Sequence, residues 1–241
     1  MKSDSNTNNW KNIWEKKGRV ESNHFELKDL IAIDGFDTGA GEFASDIWLA
    51  FVADIKEKLK IKEGQTILEV GCGAGAFLYP LSSLNVNIFG IDYSASLIKL
   101  CSKIMPFGNF QVSEANKLPF DDSFFDAIIS NSVFQYFKSL DYAQNTILEM
   151  VRTLNNVGTI AILDINDEAK KTDYERIRRE KLGAEEYDRI YKNLNHKFYK
   201  KDWFINIADK LNIKCQIKDQ NIPGYENSKF RYNVFLSRNN L

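Results

Sequence analysis

The stretch ILEVGCGAG, residues 67–75, decides the fold of this chain. An apolar run interrupted by Glu69 comes first, as expected of a buried strand, and Gly71, Gly73 and Gly75 follow at alternate positions. A glycine-rich turn directly after a buried strand lets the backbone approach a ligand where side chains would collide. Many nucleotide-binding sheets use such a turn, so this stretch alone predicts a ligand-binding sheet without naming the ligand.

The next strand along the chain ends in an acidic residue. VNIFGID, residues 86–92, has the pattern of that strand and places Asp92 at its carboxyl end. The separation from the glycine turn is close to the roughly 20 residues expected for a carboxylate that holds ribose hydroxyls. The turn and Asp92 together therefore predict a ligand that contains a ribose.

Outward from this pair, the apolar pattern alternates between strands and helices. Residues 43–59 have helical spacing upstream of the turn, and a turn with a helix is predicted over residues 71–84. Such alternation predicts an α/β, Rossmann-like, mostly parallel seven-stranded sheet with helices on both faces, closed by a hairpin-like pair of strands. The predicted strands are residues 65–70, 86–92, 109–115, 124–131, 158–165, 213–219 and 230–237, and further helices are predicted at 10–17, 94–104, 141–154 and 200–211.

Composition limits the class of protein. Of 241 residues, 44% are hydrophobic and 27% are charged, as in an ordinary globular protein, and no apolar run reaches the roughly 18 residues of a membrane span. The N-terminus has no apolar leader, so we expect a cytoplasmic protein. The net charge of −1 argues against nucleic acid as a partner. Three cysteines without a CxxC pair predict neither disulfides nor a metal site.

These motifs resemble those of the class I S-adenosylmethionine-dependent methyltransferases, closely from Glu63 to about Asp164. The glycine turn matches the family's ExGxGxG motif, Asp92 matches its ribose acid, and residues 113–130 match its adenine loop. The resemblance implies S-adenosylmethionine as cofactor. It also implies that the cofactor is held by Glu69, Gly71, Cys72, Gly73, Gly75, Asp92, Tyr93, Glu114, Ala115 and Asn131.

The glycine spacing favours this cofactor over a dinucleotide. A dinucleotide turn keeps its third glycine one residue later, for a pyrophosphate seated at a helix N-terminus. S-adenosylmethionine carries no phosphate, and Glu69 is expected to orient its ammonium. Cys72 is expected to be a small packed residue rather than a nucleophile.

The chain is interpreted as one methyltransferase domain, residues 1–241. Within it, residues 1–42 form an N-terminal lid segment, 43–164 the cofactor-binding core, 165–199 a helical cap insertion, and 200–241 the final helix and strands. Both the N-terminal segment and the cap are polar and interrupt the α/β rhythm, so we expect them to cover the carboxyl edge of the sheet.

The methyl acceptor is less constrained by the sequence. Residues 34–43, 196–199 and 225–234 loosely resemble segments of methyltransferases from bacterial surface-polysaccharide (capsule or O-antigen) gene clusters. This resemblance implies O-methylation of a small polar metabolite: a sugar, a sugar nucleotide, or a phosphate or phosphoramidate capsule precursor. Alternatives are an N-methyltransferase, a lipid or quinone methyltransferase, or a non-catalytic S-adenosylmethionine-binding regulatory protein. The sequence leaves monomer and homodimer open.

A hydroxyl acceptor needs a general base, whereas an anionic oxygen does not. His196 and Asp164 are the candidate bases. The structural alternatives are a cap-surface or helix-capping histidine and a loop-ordering carboxylate. Gln135 stands where many relatives carry histidine, which weakens the case for a base in that loop. The candidate substrate-binding residues are Tyr136, Tyr199, Tyr225 and Arg231. The alternation of Arg231 with its aromatic neighbours slightly favours a solvent-facing position for it.

A basic run lies in the cap. It could attract an anionic acceptor, but interspersed acidic residues favour an ordinary solvated helix. The run consists of Lys170, Lys171, Arg176, Arg178 and Arg179.

Overall fold

The computed structural model describes residues 5–22, 24–36, 42–191, 194 and 196–238. Its centre is one seven-stranded sheet, as the sequence predicts, and the strand order is β3-β2-β1-β4-β5-β7-β6. The strands are β1 (Thr66–Val70), β2 (Asn87–Asp92), β3 (Asn109–Val112), β4 (Phe125–Asn131), β5 (Leu154–Asn166), β6 (Ile213–Asp219) and β7 (Arg231–Arg238).

The first five strands are parallel, and β7 lies antiparallel between β5 and β6. The closing pair of strands is therefore antiparallel, in agreement with the predicted hairpin-like end. The strand order reverses between β1 and β4, where one connection runs to each side of the sheet. Ligands of open α/β sheets bind in the crevice at the carboxyl ends of such strands.

Helices lie before and between the strands. Their bounds are α1 (Ser5–Lys17), α2 (Leu27–Ile33), α3 (Ser45–Leu59), α4 (Leu78–Leu81), α5 (Ala95–Ile104), α6 (Leu140–Thr153), α7 (Lys171–Leu182), α8 (Ala184–Tyr191) and α9 (Lys201–Lys210).

Separate apolar clusters cover the two faces of the sheet. Consecutive residues of a strand point to opposite faces, so Ile67 and Leu68 of β1 belong to different clusters. Ile67 packs in the cluster that contains Trp48 and Ile55 of α3, whereas Leu68 packs with Ile147 of α6. Burial on both faces fixes the register of β1 and so the position of the glycine turn at its end.

Two elements differ from the sequence prediction. The helix after the glycine turn is reduced to α4, of four residues, and a 3-10 turn over Ser82–Leu84. Pro80 lies inside α4 and has no backbone N–H, so it cannot form the i to i−4 hydrogen bond of a helix that begins earlier in the turn. Helix α2 is absent from the prediction because seven residues are too few for a clear apolar period.

The predicted cap contains α7 and α8, but residues 192, 193 and 195 lie outside the described residues, as do residues 37–41 of the predicted N-terminal segment. Within the described part of the chain, no helix is long and apolar enough to cross a membrane.

Candidate active site

A cavity of about 260 Å³ lies at the carboxyl ends of β1, β2 and β4. Its walls come from the glycine turn, the loops after β2, β3 and β4, and the N-terminal segment. The lining residues include Trp14, Asp34, Phe36, Trp48, Glu69, Gly71, Cys72, Gly73, Asp92, Tyr93, Glu114, Ala115, Asn131, Ser132, Val133 and Tyr136. Nine of the ten residues predicted to hold the cofactor are therefore brought to one cavity.

The tenth, Gly75, faces away from the cavity. A Cβ atom at this position would lie 2.4 Å from Met105 Cε and 2.8 Å from Cys101 Sγ, so this glycine allows the turn to pack against α5. Gly73 differs, because its φ is +54° and a Cβ there would lie 2.2 Å from Asp34 Oδ1. A side chain at Gly73 would therefore collide with Asp34 in the cavity wall. A side chain at Gly75 would instead collide with residues of α5 and its end, against which the turn packs.

Asp92 joins two walls of the cavity. Its carboxylate accepts hydrogen bonds from the backbone N–H of Gly73 (3.1 Å) and of Ser94 (2.8 Å). Burial raises the pKa of Asp92 to about 6, against these stabilising bonds. The residue predicted to hold ribose hydroxyls is therefore fixed against the glycine turn and retains room for an additional donor.

Glu69 is buried at the end of β1, 3% exposed. Its Oε2 has no hydrogen-bond partner among the described residues. Burial first, and then the nearby Asp34 carboxylate, raise the pKa of Glu69 well above its usual value. A buried acceptor without a donor is unfavourable, so this site is suited to a ligand that brings a cationic donor, such as the ammonium of an amino acid.

The adenine loop contributes a second polar wall. Tyr142 of α6 donates a hydrogen bond from its hydroxyl to Glu114 Oε2 at 2.7 Å, and both residues line the cavity next to Ala115. The Glu114 carboxylate is thereby oriented and has a second oxygen available for a donor. This arrangement fits the amino group of an adenine.

Sequence reasoning missed Asp34. This residue follows α2, and its carboxylate accepts hydrogen bonds from the backbone N–H of Ala74 (2.6 Å) and of Ala76 (3.0 Å) in the glycine turn. Burial, partly offset by these bonds, raises the pKa of Asp34 to about 7. No local pattern marks the residue, because its partners lie 40 and 42 positions away.

Helix α1 contributes Trp14 to the cavity wall. Glu15 accepts a hydrogen bond from Ser94 Oγ at 2.8 Å, and Trp14 and Trp10 pack edge-to-face on Tyr136. Tyr136 itself lines the cavity. The N-terminal segment thus contacts the loops that follow β2 and β4.

A buried polar cluster lies behind Ser132, which lines the cavity. Ser132 Oγ donates to Asp164 Oδ2 at 2.8 Å, and the hydroxyl of Tyr225 donates to the same carboxylate. Arg231 Nε lies 3.7 Å from Asp164 Oδ1. Asp164 and Tyr225 do not line the cavity. Asp164 contacts the cavity residue Ser132, and Tyr225 contacts Asp164.

Arg231 is 4% exposed, which corrects the expectation that it faces solvent. Its strand, β7, lies inside the sheet between two neighbours, and Tyr174 of α7 covers its guanidinium with the ring centroid 5.4 Å away. Nε and Nη1 have no hydrogen-bond partner among the described residues. A buried guanidinium with free donors is suited to an anion.

His196 lies outside the cavity wall. Its ring stacks on Trp10 at 5.0 Å and contacts Tyr136 at 5.6 Å between centroids. Burial, with the charges of Arg231 and Arg178, lowers the pKa of His196 to about 3. An imidazole of such low basicity is a poor proton acceptor, so this placement favours a packing role.

Tyr199 does not line the cavity either. Its side chain is 1% exposed, packs in the core, and donates to the carbonyl oxygen of Phe134 at 2.8 Å. Its position fixes the start of the loop after β4.

Most of the basic run in the cap is neutralised by neighbouring acids. Arg176 pairs with Asp173 and Glu180, and Arg179 pairs with Asp188. Arg178 instead turns inward and donates to the hydroxyl of Tyr174 at 2.6 Å. Within the described ranges, no group of three or more His, Cys, Asp or Glu side chains is arranged to hold a metal.

The known proteins that this chain resembles here are methyltransferases. Residues 68–162 match the family described as a methyltransferase domain. The chain is 25% identical over 153 residues to a sterol 4-C-methyltransferase of Caenorhabditis elegans, covering 60% of this chain and 41% of that protein. It is 34% identical over 104 residues to the tRNA (carboxymethyluridine(34)-5-O)-methyltransferase of Arabidopsis thaliana, covering 42% and 24%. The chain thus spans less than half the length of these two relatives.

Among solved structures, a SAM-dependent methyltransferase from Methanosarcina mazei superposes with a TM-score of 0.58 at 17% identity. The alignment covers 76% of this chain and 96% of that one. At this identity the likeness concerns the fold. The domain match, the fold and the relatives together support a class I S-adenosylmethionine-dependent methyltransferase, with S-adenosylmethionine as its cofactor.

Proposed function

We propose that the chain transfers a methyl group from S-adenosylmethionine to an oxygen of a small polar acceptor. The proposal rests on the lining of the cavity. The acidic residues expected to hold the cofactor, Glu69, Asp92 and Glu114, line the same cavity as the polar side chains of Asn131, Ser132 and Tyr136. The acceptor classes we favour are a sugar, a sugar nucleotide, or a phosphate or phosphoramidate precursor of a capsule.

When bound, the cofactor supplies an electrophilic methyl group on a sulfonium. The chain's part in such a reaction is chiefly alignment, for which effective molarities of about 10⁵ M or more are attainable. Glu69, Asp92 and Glu114 would hold the two ends of the cofactor. Asn131, at the end of β4, would lie at the junction with the acceptor space.

For a hydroxyl acceptor, Ser132 and Asp164 offer a route for the proton. Ser132 lines the cavity and already donates to the buried carboxylate. Burial raises the pKa of Asp164, while Arg231 acts in the opposite direction. The carboxylate is thus a better proton acceptor than an exposed aspartate, and Ser132 would pass the proton to it.

For a phosphorylated acceptor, Arg231 offers the anion contact. Its guanidinium forms an ion pair with Asp164, and its Nη1 has no hydrogen-bond partner among the described residues. Arg231 does not line the cavity itself, so the acceptor's anion would have to reach it past Ser132 and Tyr136, which do. Arg231→Met should raise KM for such an acceptor about tenfold or more, since a hydrogen bond to a charged group contributes roughly 1.5–3 kcal/mol. Arg238→Met, at the other end of the same strand, is the matched control.

A second candidate function is methylation of an apolar acceptor such as a quinone or sterol. Trp14, Phe36 and Trp48 line the cavity and would suit a flat apolar ring. One of the relatives is named for a sterol acceptor. A regulatory protein that binds the cofactor without turnover is a third outcome.

The test is transfer of a labelled methyl group to a panel of sugars, nucleotide sugars, phosphoramidates, quinones, sterols and tRNA. We expect label in a phosphorylated or glycosyl acceptor, and much less label with the Asp92→Ala variant at a limiting concentration of S-adenosylmethionine. Label confined to quinone, sterol or tRNA would refute the polar-acceptor proposal. Cofactor binding without label in any acceptor would favour the regulatory alternative.

A further inference from the structure

A third acidic side chain, Asp34, lies in the cavity wall with Glu69 and Asp92. Burial is the main cause that raises the pKa of Glu69 and of Asp34; the charge of Asp34 adds to the first effect, and the charge of Asp92 adds to the second. Carboxylates that share a partly buried site repel one another unless a cation lies among them.

Asp34 is held in this position by the fold. The preceding helix, α2, places Leu30 and Ile31 in the core, 0% and 1% exposed. The carboxylate then takes up both Ala74 and Ala76 backbone N–H groups, against Gly73. These contacts hold the carboxylate against the glycine turn, in the wall of the cavity.

The cofactor and its product differ by one positive charge. Methyl transfer turns a sulfonium into a neutral thioether, while the ammonium and carboxylate of the amino-acid portion are unchanged. A fixed carboxylate in the wall therefore interacts differently with the two forms.

We propose that Asp34 is a specificity-determining residue that makes the cavity prefer the sulfonium cofactor over its neutral thioether product. The inference rests on the proposed function, because it assumes that the cavity binds this pair. As a consequence, the product S-adenosylhomocysteine would be bound less tightly than S-adenosylmethionine, which limits inhibition by the product.

The test is calorimetric titration of both ligands, S-adenosylmethionine and S-adenosylhomocysteine, with no acceptor present. The measured quantity is the ratio of their dissociation constants. Asp34→Asn should reduce the preference for the charged ligand about tenfold, the order expected when one unit charge leaves a partly solvated wall. Asp34→Glu keeps the charge and should retain the preference even if both affinities fall.

Asp46→Asn is the matched control, because it removes an exposed carboxylate from the first turn of α3, outside the cavity wall. It should leave the ratio unchanged. Thermal unfolding of each variant shows whether it is folded. The two dissociation constants that form a ratio are always measured on the same folded variant.

Equal weakening of both ligands in Asp34→Asn would overturn the inference and leave Asp34 a structural residue. Loss of the preference in Asp34→Glu as well would overturn it too. If the wild-type protein binds neither ligand, the proposed function fails and the inference fails with it. Wild-type binding of both, with a ratio insensitive to Asp34→Asn, refutes this inference alone.

Discussion

Replacing Gly73 by alanine should destabilise the protein through its contact with Asp34. The residue has φ +54°, and the added Cβ would lie 2.2 Å from Asp34 Oδ1. The left-handed backbone costs an alanine roughly 1–2 kcal/mol. Displacing the carboxylate would also weaken its bonds to the amides of Ala74 and Ala76, each contributing up to roughly 1.5–3 kcal/mol.

Gly64 provides the comparison that separates these two effects. It has φ +79°, and an added Cβ would meet nothing within 4 Å. Gly64→Ala should therefore incur only the backbone cost. We expect Gly73→Ala to lose a further ~2–4 kcal/mol, or roughly 5–15 °C in Tm for a chain of this size.

Urea unfolding monitored by circular dichroism measures the difference, and calorimetry with S-adenosylmethionine measures the effect on the cavity. Gly73→Ala should abolish or greatly weaken cofactor binding, while Gly64→Ala should leave it intact. Equal losses of stability in the two variants, together with equal cofactor affinities, would refute the account of the Asp34 contact.

Further predictions concern the charged and aromatic groups of the site. Asp92→Ala should weaken S-adenosylmethionine by ~1.5–3 kcal/mol, measured by calorimetry, as expected for a lost hydrogen bond to a charged group; an unchanged affinity would contradict the assigned role. The raised pKa values of Asp34 (about 7) and Asp92 (about 6) mean that the folded state binds protons more readily than the unfolded state. Their stabilising contribution is full below pH 4 and is lost as pH rises through 6–7. The cofactor-free protein should therefore lose thermal stability as the pH rises from about 4 to about 7, and Asp34→Asn should flatten the slope; a slope equal to that of the wild type would show that Asp34 does not titrate there. His196→Phe should keep turnover within a few-fold because it preserves the ring contacts, whereas a loss of ~10²-fold or more at constant cofactor affinity would mean that His196 is the general base after all.

The cofactor side of the site was predictable because its signals are local. The glycine turn and Asp92 lie within 25 residues, and each follows directly from the end of a strand that the apolar pattern identifies. The parallel sheet then brings these ends to one edge. Gly75 does not line the cavity, and alternation of glycines does not show which of them faces a neighbouring helix.

The remainder of the site depends on contacts between distant segments. Asp34 reaches the glycine turn across about 40 residues from a helix too short to be recognised. Arg231 belongs to a strand whose alternation suits either face, and its burial depends on Tyr174 in the cap, 57 positions earlier. Such pairings follow from the tertiary fold, which local periodicity does not encode.

Calorimetric titration of the purified protein with S-adenosylmethionine shows whether the cavity is an S-adenosylmethionine site. We expect saturable binding at one site per chain, clearly weakened by Asp92→Ala, and no binding of NAD. Absence of S-adenosylmethionine binding, binding that Asp92→Ala leaves unchanged, or binding of NAD in its place would contradict this assignment.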